Sequence, residues 1–319
     1  MDEAGFAGFA GFAFKIRFAQ MISEPALDRL SAMFRGPDVT GTRYELVSVL
    51  GRGGMGVVYL ARDVALDREV ALKIVDRPAD ERAGGTSLRA LENEARILAR
   101  LEHPGIVPVH DFGELPDGRL FYAMKRVRGS RLDRWAVSGR GLHERLGVFL
   151  RVCDAVAFAH AHGVVHRDLK PENVMVGEFG EVLVLDWGVA KQAGASDLFA
   201  AGAGTPAYMA PEQTHDGATI DARTDVFALG ALLEGIAGGA APVLAIARKA
   251  QSPKPPARYQ TVQALEAEVS RFLDGRAVEA HRERLLDRAA RVARRHRVPI
   301  LLVATYLLVR VLLLWLVRI

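Results

Sequence analysis

The first part of the chain alternates between apolar and polar positions, as half-buried strands do. Short runs of this kind, separated by turn residues, predict strands at 44–50, 56–61, 69–75, 106–112 and 119–127. After Gly129 the apolar residues follow a helical period instead, which predicts helices at 141–162, 223–237, 242–251 and 261–273. An earlier segment, 87–101, has the same helical spacing. This order predicts an α+β fold, with a small β-rich lobe followed by a mainly helical lobe.

Both ends of the chain fall outside this pattern. Residues 1–42 begin with a Gly-Phe-Ala repeat whose glycines disfavour a stable helix, and we predict a disordered leader and linker there. Residues 298–317 are nearly all apolar and would span about 30 Å as a helix, which predicts one transmembrane helix despite Arg310 near its middle. A buried core helix is the alternative interpretation. The basic segment 276–297 precedes it, and this predicts a single-pass protein of the inner membrane with the folded domain in the cytoplasm.

The net charge of +4 is unevenly distributed. Seven arginines lie within residues 281–297, and Arg310 and Arg318 follow, so residues 1–280 are mildly acidic. A nucleic-acid-binding domain would carry a basic face, and this class of protein is therefore disfavoured. The one cysteine, Cys153, excludes an intramolecular disulfide within this sequence. Its apolar helical surroundings predict a buried and unreactive thiol.

Polar residues that suit phosphoryl transfer are concentrated in one loop and at one strand end. Asp168 and Asn173 lie five residues apart in a polar loop, where they offer a proton acceptor and an oxygen ligand for Mg²⁺. Asp186 is a second acid and follows an apolar run at 182–185. Upstream, a glycine-rich turn lies between two predicted strands, and Lys73 lies within the third. A dinucleotide-binding turn would be followed by a helix, so this turn favours another use.

Four motifs occur in a fixed order and resemble those of a eukaryotic-type serine/threonine protein kinase of the bacterial, membrane-anchored kind. They are Gly51-Arg52-Gly53-Gly54-Met55-Gly56, Val70-Ala71-Leu72-Lys73, His166-Arg167-Asp168-Leu169-Lys170-Pro171-Glu172-Asn173 and Leu185-Asp186-Trp187-Gly188. The resemblance implies a bilobal kinase domain over 43–275, with an N-lobe at 43–127 and a C-lobe at 128–275. It also implies ATP and Mg²⁺ as cofactors and proteins as substrates, phosphorylated on serine or threonine.

The same resemblance assigns the chemistry of the site to four residues. Asp168 would be the catalytic carboxylate that orients the acceptor hydroxyl or takes its proton. Lys170 would balance the charge of the transferred phosphate. Asn173 and Asp186 would hold Mg²⁺ through their side-chain oxygens.

Nucleotide contacts are implied for the first lobe and the linker between the lobes. Lys73 would contact the α- and β-phosphates and pair with a glutamate of the next helix. Glu94 is preferred for this pairing, and Glu92 is the alternative. The positions that would contact ATP are Gly51, Arg52, Gly53, Gly54, Met55, Gly56, Val58, Ala71, Lys73, Met124 and Val127.

Further parts of the second lobe resemble the segments that support a kinase active site. Ala210-Pro211-Glu212 resembles the end of the activation segment, whose glutamate would pair with Arg258. Asp225 resembles the aspartate that holds the catalytic loop. Thr205 lies where the family selects a serine or threonine acceptor, and Ser196 is the preferred candidate for autophosphorylation.

Two features imitate or depart from the family pattern. Asp111-Phe112-Gly113 spells the metal-binding motif but precedes the catalytic loop, and we interpret it as a strand-end turn. The segment between helices 223–237 and 242–251 is too short for the loop and helix usual there, so we predict a shortened C-lobe.

The intact catalytic set favours an active kinase. A membrane-tethered, nucleotide-binding pseudokinase scaffold is the alternative function, and a homodimer is a further candidate assembly.

Overall fold

An antiparallel five-stranded sheet forms the first lobe of the computed structural model, which describes residues 36–53, 56–75, 92, 95–187, 191–192, 206–215, 219–281 and 297–316. The strands are Tyr44–Gly53 (β1), Gly56–Asp63 (β2), Arg68–Ile74 (β3), Val109–Glu114 (β4) and Leu120–Lys125 (β5), in the spatial order β1-β2-β3-β5-β4. The five predicted strands are confirmed, but the predicted start of the fourth at residue 106 was wrong. Ile106 instead forms a parallel bridge to Val184 of the second lobe, and β4 begins three residues later.

Side-chain alternation along β3 gives each face of this sheet a different neighbour. Val70, Leu72 and Ile74 are buried in a small cluster that belongs to the first lobe alone. Ala71 points the other way and joins the main core, which continues into the second lobe. Lys73 has the same parity as Ala71, so its ammonium group is directed towards the second lobe. The alternation of β3 therefore places this lysine at the candidate site.

Helices dominate the second lobe, as predicted. The helices of the described chain are 95–100 (α1), Leu132–Ala136 (α2), Leu142–Ala161 (α3), Ala222–Ile236 (α4), Ala241–Ala250 (α5), Val262–Leu273 (α6) and Arg297–Leu316 (α7). Short strands accompany them: Gly129–Arg131 (β6), Val164–Val165 (β7), Val174–Gly177 (β8), Val182–Val184 (β9) and Lys191–Gln192 (β10). β6, β8 and β9 form one small sheet, and β7 pairs with β10.

α3 is the central helix of the main core. Phe149, Val152, Cys153 and Val156 on this helix are completely buried. Burial raises the pKa of the Cys153 thiol well above its usual range, because an apolar surrounding disfavours the thiolate. The predicted interpretation of this cysteine as a buried hydrophobic residue is confirmed.

The connection between α4 and α5 is as short as the sequence predicts. Residues 237–240 join the two helices, with Gly238 and Gly239 at φ values of 58° and 82°. The helices then cross closely, since a Cβ added to Gly230 would lie 2.7 Å from the Cβ of Ala250. α5 therefore packs directly on α4, with no intervening helix in this described segment.

The C-terminal helix α7 differs from the other helices in that those of its side chains that the structure describes are exposed. Val298, Leu302 and Leu308 are each more than 60% accessible. In the parts of the chain with described coordinates, no helix combines the length and apolarity that crossing a bilayer requires. The predicted transmembrane helix is thus not supported by the fold.

Residues that follow the last helix of the lobe are attached to it through a buried carboxylate. Glu268 of α6 is 4% exposed and accepts the backbone N–H groups of Glu279 at 3.3 Å and Ala280 at 3.1 Å. Arg271 donates to the same carboxylate at 3.0 Å and also to the side chain of Glu279. Val278 is buried. The packed body therefore includes residues beyond 275, up to about residue 281.

Replacing Glu268 with Ala should release this segment. Two backbone N–H groups would lose their acceptor, and we expect the free energy of unfolding to fall by about 1–3 kcal/mol. Urea unfolding, together with hydrogen exchange at the amides of Glu279 and Ala280, measures both effects. Gln263→Ala, on an exposed position of the same helix, is the matched control and should change stability by less than about 0.5 kcal/mol. Unchanged exchange at the two amides would contradict the attachment.

Candidate active site

Asp168 lies in the loop between β7 and a 3₁₀ turn at Pro171–Asn173. The Lys170 ammonium donates to its Oδ2 at 2.6 Å. The Asn173 amide nitrogen donates to the Asp168 backbone carbonyl at 2.8 Å and to its Oδ2 at 3.2 Å. An ionised carboxylate only accepts hydrogen bonds, and here two donors fix its orientation. The predicted catalytic aspartate and its lysine are therefore in direct contact.

The two predicted metal ligands are joined through the backbone. The N–H of Leu185 donates to the carbonyl of Asn173 at 2.8 Å, which brings the residue before Asp186 against the catalytic loop. Because the Asn173 amide nitrogen faces Asp168, its Oδ1 is the atom left to bind a cation. Asp186 itself has φ 59°, a left-handed backbone that non-glycine residues adopt rarely and often at functional sites.

Lys73 forms an ion pair with Asp186. Its Nζ lies 2.9 Å from Asp186 Oδ1 and 5.7 Å from the centre of the Tyr122 ring. Burial acts to raise the pKa of the Asp186 carboxyl, but the charge and hydrogen bond of Lys73, together with the charges of His166 and Lys170, outweigh it, and the pKa is lowered. Asp186 is thus kept as a carboxylate that can bind a cation. Glu94, the predicted partner of Lys73, lies outside the described residues, and that pairing stays a prediction.

A buried aspartate holds the backbone of the catalytic loop. Asp225, near the start of α4, accepts the N–H groups of His166 and Arg167, each at 2.8 Å, and lies 2.7 Å from His160 Nε2. Complete burial acts to raise the pKa of Asp225, but the hydrogen bond from His160 and the further donors outweigh it, so the pKa is lowered. Its charge therefore persists in the core. This is the role that the resemblance implied for Asp225.

His166 links the loop to the strand end that carries Asp186. Its Nδ1 accepts the N–H of Asp168 at 3.3 Å, so the proton belongs on Nε2, which donates to the Leu185 carbonyl at 3.0 Å. The ring packs against Trp187 with centroids 4.5 Å apart. Trp187 is completely buried and fills the space where the two segments meet.

The predicted nucleotide positions lie on β1, β2, β3 and β5 and on the linker after β5. Gly53 pairs with Gly56 and Gly51 with Val58, so the glycine-rich segment is a hairpin between two strands. Ala71 pairs with Met124, and both are buried. Gly54 and Met55 at the tip lie outside the described residues, whereas Arg52 is exposed and Val127 is half-buried.

Gly56 is required by its geometry. Its φ is 129°, and a Cβ at this position would lie 2.2 Å from the carbonyl oxygen of Ile74 in β3. An L-amino acid with a side chain would therefore clash with backbone and disturb the hairpin.

The end of the activation segment is anchored as the resemblance predicts. Arg258 binds Glu212 with both arms of its guanidinium, at 2.6 and 2.7 Å, and its side chain is fully buried. Burial acts to raise the pKa of Glu212, but the hydrogen bonds and charge of Arg258, together with the bonds from Thr224 and the backbone, outweigh it, so the pKa falls below its ordinary value. The predicted pairing of these two residues is confirmed. Ser196 and Thr205 lie outside the described residues.

Sequence reasoning missed Gln213 and misplaced Asp111. Gln213 is buried and bonds both to Ala210 and to the catalytic loop. Its one sequence signal is its position directly after the Ala210–Glu212 motif. Asp111 lies inside β4, not in a strand-end turn. Its carboxylate accepts a hydrogen bond from the hydroxyl of Tyr44 at 2.7 Å and pairs with Arg43 at 3.2 Å. Its carboxylate therefore stabilises the first lobe by accepting hydrogen bonds there, whereas Asp186 belongs to the candidate active site.

Comparisons with known proteins agree with this geometry. The chain matches the family model of the protein kinase domain over residues 44–291. It is 43% identical over 211 residues to the DNA damage-responsive serine/threonine-protein kinase RqkA of Deinococcus radiodurans, an alignment that covers 63% of this chain and 30% of that protein. It is 35% identical to serine/threonine-protein kinase pkn3 of Myxococcus xanthus over 252 residues, covering 72% of this chain and 45% of pkn3.

A third relative is serine/threonine-protein kinase PknB of Mycolicibacterium smegmatis, 34% identical over 281 residues, with 76% of this chain and 44% of PknB covered. The chain thus spans less than half the length of these curated relatives. The matched region contains the lysine of β3, the catalytic loop and the Asp186 motif. The chain therefore belongs to the protein kinase domain family, and these three relatives are bacterial serine/threonine-protein kinases.

Proposed function

We propose that this protein transfers the γ-phosphate of ATP to serine or threonine hydroxyls of other proteins, with Mg²⁺ as its metal. The observation that carries the proposal is the contact of Asp168 with Lys170 and Asn173, beside the Lys73–Asp186 pair. This arrangement offers a proton acceptor, two cations and two cation-binding oxygens within connected segments. Phosphoryl transfer depends mainly on such positioning and on charge stabilisation.

The residues fit both cofactors chemically. Asn173 and Asp186 offer hard oxygen atoms, and Mg²⁺ is commonly held by one or two protein oxygens together with phosphate oxygens and water. When bound, Mg²⁺ would neutralise phosphate charge. Lys73 would hold the non-transferred phosphates, and Lys170 would balance charge at the transferred one. Asp168 would accept a hydrogen bond from the acceptor hydroxyl and orient it for attack on the γ-phosphorus. It would take the hydroxyl proton as the new P–O bond forms and the bond from the γ-phosphorus to the bridging oxygen breaks, with ADP as the leaving group.

Transfer of radiolabelled phosphate from ATP by the full chain tests this function. Label on serine or threonine of an added protein, dependent on Mg²⁺, is the expected result. Label on tyrosine would contradict the acceptor class. Nucleotide binding without transfer would favour the alternative of a pseudokinase scaffold, in which the same site binds ATP for structural reasons.

We also propose that α7 attaches the protein to the inner membrane, with the kinase domain on the cytoplasmic side. Support comes from its exposed leucines and valines, which would otherwise face water. The arginines within residues 281–297 add attraction to anionic lipid and match the cytoplasmic flank of membrane-inserted segments.

Membrane fractionation of the full chain, followed by alkaline carbonate washing, tests this attachment. Retention in the washed pellet is expected. The double variant Leu307→Asp/Leu308→Asp should shift the protein to the supernatant, because each aspartate costs about 2.5–3.5 kcal/mol at the centre of an inserted helix. Tyr306→Phe is the matched control and should stay in the pellet. Wild-type protein found wholly in the supernatant would overturn the proposal.

A further inference from the structure

The backbone of Arg167 is held from two sides. Its φ is 71°, in the left-handed region that a non-glycine residue keeps only when its surroundings hold it there. On one side, the Arg167 N–H donates to Asp225 Oδ1 at 2.8 Å. On the other side, the Arg167 carbonyl accepts the side-chain amide of Gln213 at 2.9 Å. Asp168 follows at once, so the direction of its peptide depends on both contacts.

Gln213 uses both ends of its amide. Its Nε2 donates to the Arg167 carbonyl, and its Oε1 accepts the backbone N–H of Ala210 at 2.9 Å. Ala210 is completely buried, and Gln213 is 7% exposed. A glutamine is suited to this bridge because one amide supplies a donor and an acceptor in a fixed geometry. The bridge joins two segments that lie 46 residues apart in sequence.

The turn that carries Gln213 is itself anchored firmly. Glu212, its neighbour, is bound by the buried Arg258 and by the hydroxyl of Thr224 at 3.1 Å. The position of the Gln213 amide is therefore set by the turn at Pro211–Thr214 and passed to the catalytic loop. Displacement of this turn would remove the partner of the Arg167 carbonyl, and the left-handed backbone before Asp168 would lose one of its two supports.

We infer that Gln213 is a positioning residue for phosphoryl transfer: it fixes the direction of Asp168 by holding the Arg167 carbonyl, and it makes that direction depend on the seating of the Pro211–Thr214 turn. The inference rests on the proposed kinase function. Gln213 acts through the backbone of Arg167, and its two described side-chain hydrogen bonds involve none of the residues assigned to ATP.

Two substitutions separate the two ends of the bridge. Gln213→Glu keeps an acceptor for the Ala210 N–H but, as a carboxylate, cannot donate to the Arg167 carbonyl. Gln213→Met has a similar length and removes both bonds. Both variants should lower kcat for protein phosphorylation by about 10- to 100-fold, because small misplacements of a reacting group cost this much. The KM for ATP should change by less than about twofold, because the nucleotide contacts are untouched.

Gln260→Glu is the matched control. The Gln260 amide also donates to backbone carbonyls, those of Pro255, Pro256 and Arg258, but it has no contact with the catalytic loop. This variant should lose three amide contacts, more than either Gln213 variant, and keep the wild-type kcat. A wild-type kcat in both Gln213 variants would overturn the inference. So would a rise in the KM for ATP equal to the fall in kcat, or unfolding of both variants, because general destabilisation would then explain the loss.

Hydrogen exchange at the amides of Arg167 and Asp168 provides a readout that does not need activity. Exchange should become faster in Gln213→Met and stay unchanged in Gln260→Glu. If the full wild-type chain transfers no phosphate, the proposed function fails, and this exchange measurement alone decides the positioning role. Equal protection in Gln213→Met and wild type would then reject it.

Discussion

Replacing Asp168 with Asn should lower the rate of phosphoryl transfer by about 100- to 10,000-fold, the range typical of a positioned general base. The amide has the same shape as the carboxylate but cannot take a proton from the acceptor hydroxyl. It would also weaken the 2.6 Å contact with Lys170, which is charge-assisted in the wild type. Initial rates of phosphate transfer to a protein acceptor, at saturating ATP and Mg²⁺, measure the effect.

The control for this variant is nucleotide binding. Lys73 and Asp186 form their own ion pair, which the Asp168→Asn substitution leaves in place, so the Kd for ATP should change by less than about threefold. Asp111→Asn is a second control. Asp111 lies in a motif similar to that of Asp186, but its bonds among the described residues are to Tyr44, Arg43 and its own neighbour Phe112, all in the first lobe. Transfer by Asp168→Asn at the wild-type rate would show that the carboxylate is dispensable and would favour another proton acceptor.

Local patterns in the sequence were sufficient for much of the fold. Alternation predicted the five strands of the first lobe, and helical spacing predicted α3, α4, α5 and α6. Both depend on neighbours within a few residues, where periodicity is informative. The start of β4 was missed because Ile106 bonds to Val184, a residue 78 positions later, and no local pattern signals such a bridge.

The chemistry of the site was predicted from motifs, whereas its supports were not all visible. Asp168, Lys170 and Asn173 are close in sequence, so their contacts follow from one short loop. Gln213 and Glu268 lack any comparable signal. A glutamine after Glu212 and a glutamate on a helix resemble solvent-exposed residues until the fold brings a carbonyl or two N–H groups against them. Hydrogen bonds from a side chain to backbone groups far along the chain could therefore not be predicted from the sequence.

Two sets of contacts stabilise the active-site segments of the second lobe, and they act on different segments. Asp225 and Gln213 hold the catalytic loop through backbone bonds that fix direction. The Arg258–Glu212 pair instead fixes the turn that carries Gln213, and it does so with buried charge. Removing one partner of a buried pair is costly because the other charge is left without compensation. Loss of Arg258, which lies outside the catalytic loop, should therefore damage stability strongly.

Replacing Arg258 with Met should lower the free energy of unfolding by about 3–5 kcal/mol at pH 7. Besides Glu212, the guanidinium donates to three backbone carbonyls, those of Ser252, Arg223 and Pro253, at 2.7, 2.9 and 3.2 Å. Methionine fills part of the volume and satisfies none of them. Urea unfolding measures the loss. Arg258→Lys keeps one charge without the two-armed geometry and should lose less, and Glu212→Gln/Arg258→Met should recover part of the loss because no buried charge remains.

The pH dependence of this loss has a definite sign. In the wild type the pKa of Glu212 is lowered by Arg258, so the pair contributes stability above the unfolded pKa of about 4.3, and this contribution is lost as pH falls through the folded pKa. In Arg258→Met the hydrogen bonds and charge of Arg258 are lost, so burial, the largest influence on the Glu212 carboxyl, should raise its folded pKa against the remaining hydrogen bonds from Thr224 and the backbone. As pH falls, protonation of Glu212 removes the uncompensated buried charge from the variant, whereas in the wild type it breaks the Arg258–Glu212 ion pair. The difference in unfolding free energy should therefore be largest near pH 7 and narrow towards pH 4. A difference that stays constant over this range would show that lost packing, and not the stranded carboxylate, accounts for the effect.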